Sequence, residues 1–193
     1  MKDVFIYQAI RSPRARAKEN GGLHDLLPQE VLQQLYQHLV ERTGLDPAVV
    51  GEVILGCVTQ HGEQAGNIAK ASVMFAGWPS SVGGMTVNRF CSSGIDAIGL
   101  GALKIAAGQE QAIVAGGVEM MSRVPMLADQ AKVFMDPAFA ARCQMLMMGS
   151  GADLIASLNN VTRETADMIA VQSQQRAAHA RDNGYFKSIV PVY

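Results

Sequence analysis

The sequence predicts an α/β protein whose mostly parallel, mixed sheet is covered by helices on both faces. Three observations carry that prediction. β-prone and helical runs alternate from Val4 to Glu119. The strand runs are continuously apolar, the pattern of strands buried on both faces. The helix that begins near Ser92 is apolar almost all round, with only Asp96 and Lys104 charged, so it must be covered on most sides.

Taken in order, Val4 to Ile10 reads as a first strand, and "RSPRARAKENGG" after it as an exposed loop. Pro28 marks a helix start, and Val31, Leu32, Leu35, Tyr36, Leu39 and Val40 recur at helical spacing up to Gly44. "EVILGCVTQ" (52–60) is a second strand, and "GNIAKASVMFAGWP" (66–79) a second helix stopped by Pro79. Met85 to Phe90 is a third strand, Ser92 to Ala107 a third helix ended by Gly108, and "QAIVAGGVE" (111–119) a fourth strand. Gly94, Gly99 and Gly101 in the third helix each cost about 1 kcal/mol of helix propensity, which close backbone packing between two sheets would offset.

After Glu119 the texture changes. The methionine-rich run broken at Pro125 and Pro137 reads as an inserted loop region; Thr162 then caps a helix that ends at Gly184. "FKSIVPVY" reads as a strand returning toward the core. The expected organisation is a core over residues 1–119, part of a loop domain over 120–183 and a returning strand over 184–193.

Composition limits the function. A chain of 193 residues can bury a core without disulfides. At 49% apolar, 17% charged and a net charge of −1, it shows no sign of disorder, nucleic-acid binding or a membrane-seeking surface. Cys57, Cys91 and Cys143 are an odd set without C-x-x-C spacing, which argues against a disulfide framework and a structural zinc site, and no metal site is expected. No 18-residue apolar span or signal segment occurs, so the expectation is a soluble protein of the bacterial cytosol or an organelle matrix.

The candidate reactive group is Cys91. If Phe90 ends a strand and Ser92 begins a helix, the thiol lies beside unpaired amides and the positive end of a helix dipole, which favour a thiolate and could hold an oxyanion. Both suit a nucleophile that forms a thioester. From position alone, a small core residue is an equal reading. "GLGALK" and "GSGADL" fail as dinucleotide fingerprints, for neither follows a strand with the three glycines in place. His24, His38, His61 and His179 are scattered; His61 stands out for lying just past a parallel strand's C-terminal end. Met145, Met147 and Met148 read as core filling or as an adaptable apolar wall for a flexible thioester chain.

Four stretches resemble one family. "NRFCSSGIDAI" is similar to the thiolase segment that carries the acyl-accepting cysteine, and "VAGGVEMMSRVP" resembles the strand and loop after it. "EVILGCVTQ" resembles their second strand, and "MMGSGAD" with "SQQRAAHARDNGYFKSIVPV" their loop domain. The resemblance runs in register from Val4 to Val192. It implies a thiolase-like fold of two similar halves, stacked in five layers with buried helices in the middle. It also implies cleavage of 3-ketoacyl-CoA by CoA, or the reverse Claisen condensation, through an acyl-cysteine. Cys91 is then the nucleophile, and Met148 lines the pocket for the thioester end of CoA. Acyl-CoA and CoA are the implied substrates, with no tightly bound cofactor. A homodimer or homotetramer is implied, with Met85 to Phe90 as its edge.

The family's activating histidine in G-H-P, its second cysteine in C-x-G and the asparagine of N-E-A-F do not occur in residues 1–193. The chain is therefore expected to be an N-terminal half with little activity alone. A half-length protein that assembles with partners without catalysis is a second reading. A ketoacyl-synthase-type condensing enzyme is a third, disfavoured by "GGVEMMSRVP" and "SQQRA".

Overall fold

A computed structural model describes residues 2–193. The chain divides into two compact units, one running to Asp129 and taking back Ser188–Tyr193, the other spanning Gln130–Lys187.

In the first unit the order is α1 (Pro28–Thr43), β1 (Val50–Gly56), α2 (Ile68–Phe75), β2 (Gly83–Val87), α3 (Ser93–Ala106) and β3 (Ala112–Gly117). The three strands form one sheet in the order β2-β1-β3 with every pairing parallel, β1 lying in the middle. Parallel strands need crossover helices, which is why α2 and α3 separate them.

Side-chain alternation along β1 assigns the two faces. Val53, Leu55 and Cys57 point into a buried cluster with Ile68, Ala69 and Val73 of α2 and Leu32 and Tyr36 of α1. Glu52 and Gly56 point the other way, Glu52 pairing with Lys104 of α3 and Gly56 meeting the start of that helix. The sheet thus carries α2, backed by α1, on one face and α3 on the other, as the apolar strands predict.

The ends of α1 follow local chemistry. Pro28 occupies the first helical position, the Leu27 amide donates to Glu30 Oε2 at 2.7 Å, and Gly44 closes the helix in the left-handed region at φ 68°.

Several expectations need correction. Val4 to Ile10 forms no strand: Phe5, Ile6 and Tyr7 are 68, 79 and 88% exposed, and no neighbouring strand pairs with them. "FKSIVPVY" also joins no sheet. Its contact with the N-terminal segment is one isolated parallel bridge, Arg11 with Ile189, made by the Arg11 amide on Ser188 O and the Val190 amide on Arg11 O. Val190 is nonetheless fully buried, so this tail packs onto the core without extending the sheet.

Helix α3 is also less enclosed than expected. Ala97 and Gly101 are buried against the sheet, and a β-carbon on Gly101 would come within 3.1 Å of Ile113. Gly99 meets nothing within 4 Å, and Ile95 and Leu103 are 71 and 60% exposed. One face of the helix carries the packing that the glycines suggested; the other is bare apolar surface.

The second unit holds α4 (Pro137–Cys143), α5 (Met148–Leu158) and α6 (Arg163–Asp182). Asp136 caps α4 by accepting from the Ala138 and Phe139 amides, and Thr162 caps α6 through the Thr165 amide, as its sequence predicts. Helix α4 and the start of α5 both lie in the run read as loop, and α5 is the longer of the two. Gly149 and Gly151 lower its propensity and Met147 supplies no capping side chain, so the usual signals are absent. Among the described residues no helix is long and apolar enough to cross a membrane.

Candidate active site

The C-terminal ends of the parallel strands, where α/β proteins gather their functional groups, are tied together beyond the last ladder residues. The Cys57 amide donates to Val87 O at 3.0 Å and the Val118 amide to Gly56 O at 3.0 Å. From β2 the chain then passes through Asn88, Arg89 and Phe90 to Cys91 and into α3.

This junction is a tight elbow. Phe90 stands at φ 50°, a left-handed conformation that costs a non-glycine residue about 1–2 kcal/mol. Side chains on either side hold it there. Asn88 Oδ1 accepts from the Phe90 amide at 2.9 Å, an Asx turn. Ser93 Oγ accepts from the Arg89 amide at 2.8 Å and donates to Phe90 O at 2.6 Å. Outside the elbow, Arg89 pairs with Asp96 at 2.8 Å.

Cys91 is exposed at the outer side of this elbow, one residue before the Ser92 cap of α3. The expected strand–thiol–helix arrangement is present, with one difference. The Ser92 and Ser93 amides are not open donors, for they bond to Arg89 O and Phe90 O at 3.2 and 3.0 Å. The turn itself uses them, so these two amides hold the elbow's shape and are not open to a ligand oxygen.

A second network secures the floor beside the elbow. Glu119, just past β3, accepts from the Val58 amide at 2.9 Å, the Thr59 amide at 3.3 Å and Gln64 Nε2 at 2.8 Å. Gln64 is fully buried, and its Oε1 accepts from the Met120 amide at 2.6 Å. Arg123 then grips Glu63 with two bonds of 2.6 Å and reaches His24 O at 2.7 Å. The bidentate guanidinium holds the Glu63 carboxyl below its usual range. His61 lines an open cleft of about 330 Å³ with Glu63, Arg123, Val124 and Pro125.

Cys57 has the opposite environment to Cys91. It is buried within the α2-side cluster, and burial, helped by the nearby Glu119 carboxylate, pushes its thiol up to about 12. Cys143 is exposed at the end of α4. Met148, the other residue singled out by sequence, opens α5 in the second unit with 82% of its surface exposed. Among the described residues no cluster of histidine, cysteine, aspartate or glutamate could hold a metal ion.

The sequence reading missed Asn88, Ser93, Gly56, Gln64 and Glu119. Asn88 was legible, because an asparagine two residues before a turn amide is an Asx-turn signal. Gln64 carried none, since its role depends on partners 55 and 56 residues away.

The model of the thiolase N-terminal domain matches residues 4–193. The chain is 36% identical over its whole length to a 3-oxoadipyl-CoA/3-oxo-5,6-dehydrosuberyl-CoA thiolase of Escherichia coli, covering 52% of that protein. It is likewise 36% identical to a 3-ketoacyl-CoA thiolase of Bacillus subtilis, again over the whole chain and 49% of the relative. The crystal structure of the Bacillus anthracis acetyl-CoA acetyltransferase superposes on 97% of the chain and 50% of its own, with a TM-score of 0.82 and 35% identity. The chain belongs to the thiolase family and has the thiolase-like α/β fold. It spans about half the length of the curated relatives it matches.

Proposed function

We propose that the protein transfers acyl groups between CoA thioesters, with Cys91 as the acyl acceptor. The observation that carries this is the placement of an exposed thiol at a held elbow between β2 and α3, on the strand-end side of a parallel sheet. In the degradative direction the Cys91 sulfur attacks the 3-keto carbon of a 3-ketoacyl-CoA. The C2–C3 bond breaks, the acyl group stays on sulfur, and acetyl-CoA departs as an enolate that takes up a proton. The thiol of a free CoA then attacks the acyl-cysteine, forms the shortened acyl-CoA and returns the Cys91 thiol. Run backwards, the same steps join two acyl-CoA molecules.

The names of the relatives support this chemistry: the E. coli and B. subtilis proteins are thiolases of 3-oxoacyl-CoA compounds, and the B. anthracis protein is an acetyl-CoA acetyltransferase. CoA and acyl-CoA are substrates here, with no tightly bound cofactor. Met148 is assigned to the wall around the thioester end of CoA. The protein works in the bacterial cytosol or an organelle matrix as a homodimer or homotetramer joined along β2. The bare face of α3 is assigned to the family's second half-domain, which also carries the base and second cysteine that residues 1–193 lack.

A second reading is assembly with partners without catalysis. One assay separates the two: CoA-dependent cleavage of a 3-ketoacyl-CoA by the protein as its gene encodes it. Turnover that disappears in Cys91→Ala supports acyl transfer; turnover that survives the substitution, or none in the unaltered protein, removes it.

A further inference from the structure

The geometry points to Asn88 as the positioning residue for Cys91. The proposal rests on the acyl-transfer reading for what the thiol does, but not for what holds it. Both ends of the Asn88 amide are in use: Oδ1 accepts from the Phe90 amide at 2.9 Å and Nδ2 donates to Val58 O at 3.2 Å. The first bond holds the residue before Cys91 at φ 50°. The second fastens that turn to the extension of β1.

Val58 is itself held. Its amide donates to Glu119 Oε2, and the Glu119 carboxylate also takes the Thr59 amide and the side chain of the buried Gln64. A continuous set of hydrogen bonds therefore runs from the end of β3, through the end of β1 and the Asn88 side chain, to the peptide that precedes the thiol. Ser93 closes the elbow from the helix side, yet its bonds to Arg89 and Phe90 stay within the turn. Asn88 differs in joining the turn to the rigid sheet.

A left-handed non-glycine residue persists only where its surroundings over-determine it. Without the Asx bond Phe90 loses the contact that ties its left-handed backbone to the sheet, so that it relaxes toward ordinary backbone and the Cα–Cβ direction of Cys91 turns with it. Acyl transfer needs a sulfur aimed at a carbonyl within a fraction of an ångström, and a misplacement near 1 Å costs as much as about 100-fold. Simple alkylation of an exposed thiol needs no such aim.

The test compares Asn88→Ala and Asn88→Asp in the protein as its gene encodes it. Asp keeps the acceptor for the Phe90 amide and loses only the donor to Val58 O. Three quantities are measured: single-turnover acylation of Cys91 by acetyl-CoA, alkylation of the same thiol by iodoacetamide, and hydrogen exchange over residues 88–93. For Ala we expect acylation to fall about 10-fold or more, with alkylation unchanged within about 3-fold and exchange at 88–93 accelerated. For Asp, which keeps the Phe90 bond but loses the tie to Val58 O, exchange and acylation are expected to fall between those of Ala and the unaltered protein. Unchanged acylation in Ala, faster exchange without any loss of acylation, or equal losses in Ala and Asp would each overturn the proposal. If the unaltered protein forms no acyl-Cys91, the acyl-transfer reading fails by itself. Asn88 is then judged on exchange alone: faster in Ala and only partly restored in Asp supports it, and unchanged exchange removes it. A melting temperature for each variant separates loss of aim from loss of fold, and Asp serves if Ala does not fold.

Discussion

A β-carbon placed on Gly56 would lie 2.5 Å from the carbonyl carbon of Ser93 and 2.6 Å from the Gly94 nitrogen. The end of β1 and the start of α3 thus touch backbone to backbone, and the elbow that carries Cys91 is seated directly on the sheet. Backbone atoms at that distance cannot swing aside as a side chain can. Gly56→Ala is therefore expected to push the start of α3 off the sheet at a cost of about 1–3 kcal/mol, and to slow acylation at Cys91 as well. Urea unfolding read alongside single-turnover acylation checks both. Unaltered stability would show that the helix start moves without penalty.

The buried hydroxyl of Tyr36 gives a pH prediction. It bonds Ser72 Oγ at 2.8 Å inside the α1–α2 contact, and burial pushes it up to about 12 from the usual 10. The folded protein holds this proton more tightly than the unfolded chain does. Its contribution is therefore complete below pH 10 and is lost as the pH climbs from 10 toward 12. Cys57 adds a loss of the same sign between its usual 9 and about 12. Tyr36→Phe should flatten the decline in melting temperature across that window while costing about 1 kcal/mol at neutral pH, since Ser72 keeps its bond to Ala69 O. An equally steep decline in the variant would assign the loss elsewhere.

The three thiols should separate cleanly under alkylation. Cys91 and Cys143 are exposed, whereas Cys57 is 1% exposed and resists ionisation. Brief treatment with iodoacetamide at pH 8 followed by peptide mapping is expected to label the first two and spare the third. Denaturing the protein first should bring Cys57 to the level of the others. Early labelling of Cys57 in the folded protein would contradict its placement in the core.

Residues 1–193 alone, with the outer face of α3 uncovered, should self-associate. Ile95, Ile98 and Leu103 are 71, 46 and 60% exposed along that face, and contiguous apolar surface of a few hundred Å² marks an interaction patch. Light scattering on the purified polypeptide is expected to show dimers or larger species, reduced by Ile95→Lys combined with Leu103→Glu. A monodisperse, highly soluble monomer would contradict it.

Much of this architecture is legible in the sequence, for physical reasons that also explain the gaps. Helix α1 announces itself through Pro28, the Val31–Tyr36 spacing and Gly44, all of which are local signals. The strands β1, β2 and β3 show as apolar runs between breakers, each within a few residues of its true ends. The run from Val4 to Ile10 has the same composition but makes no strand, because strand formation depends on a neighbour that composition does not reveal. Helix α5 failed in the opposite way, its glycines masking an element that forms without a capping side chain. At the site, Cys91 stood out by its junction, whereas the Glu119–Gln64 floor depends on residues distant in sequence and was not visible.

The central claim is that acyl groups pass through Cys91. Its most direct test is to mix the protein, as its gene encodes it, with acetyl-CoA, quench in acid and map the adduct by mass spectrometry. The account predicts a 42 Da increase, the mass of an acetyl group replacing a thiol proton, on the peptide containing Cys91 and its absence in Cys91→Ser. An acetyl group found instead on Cys57 or Cys143, or an unmodified Cys91 in an otherwise active protein, would contradict it.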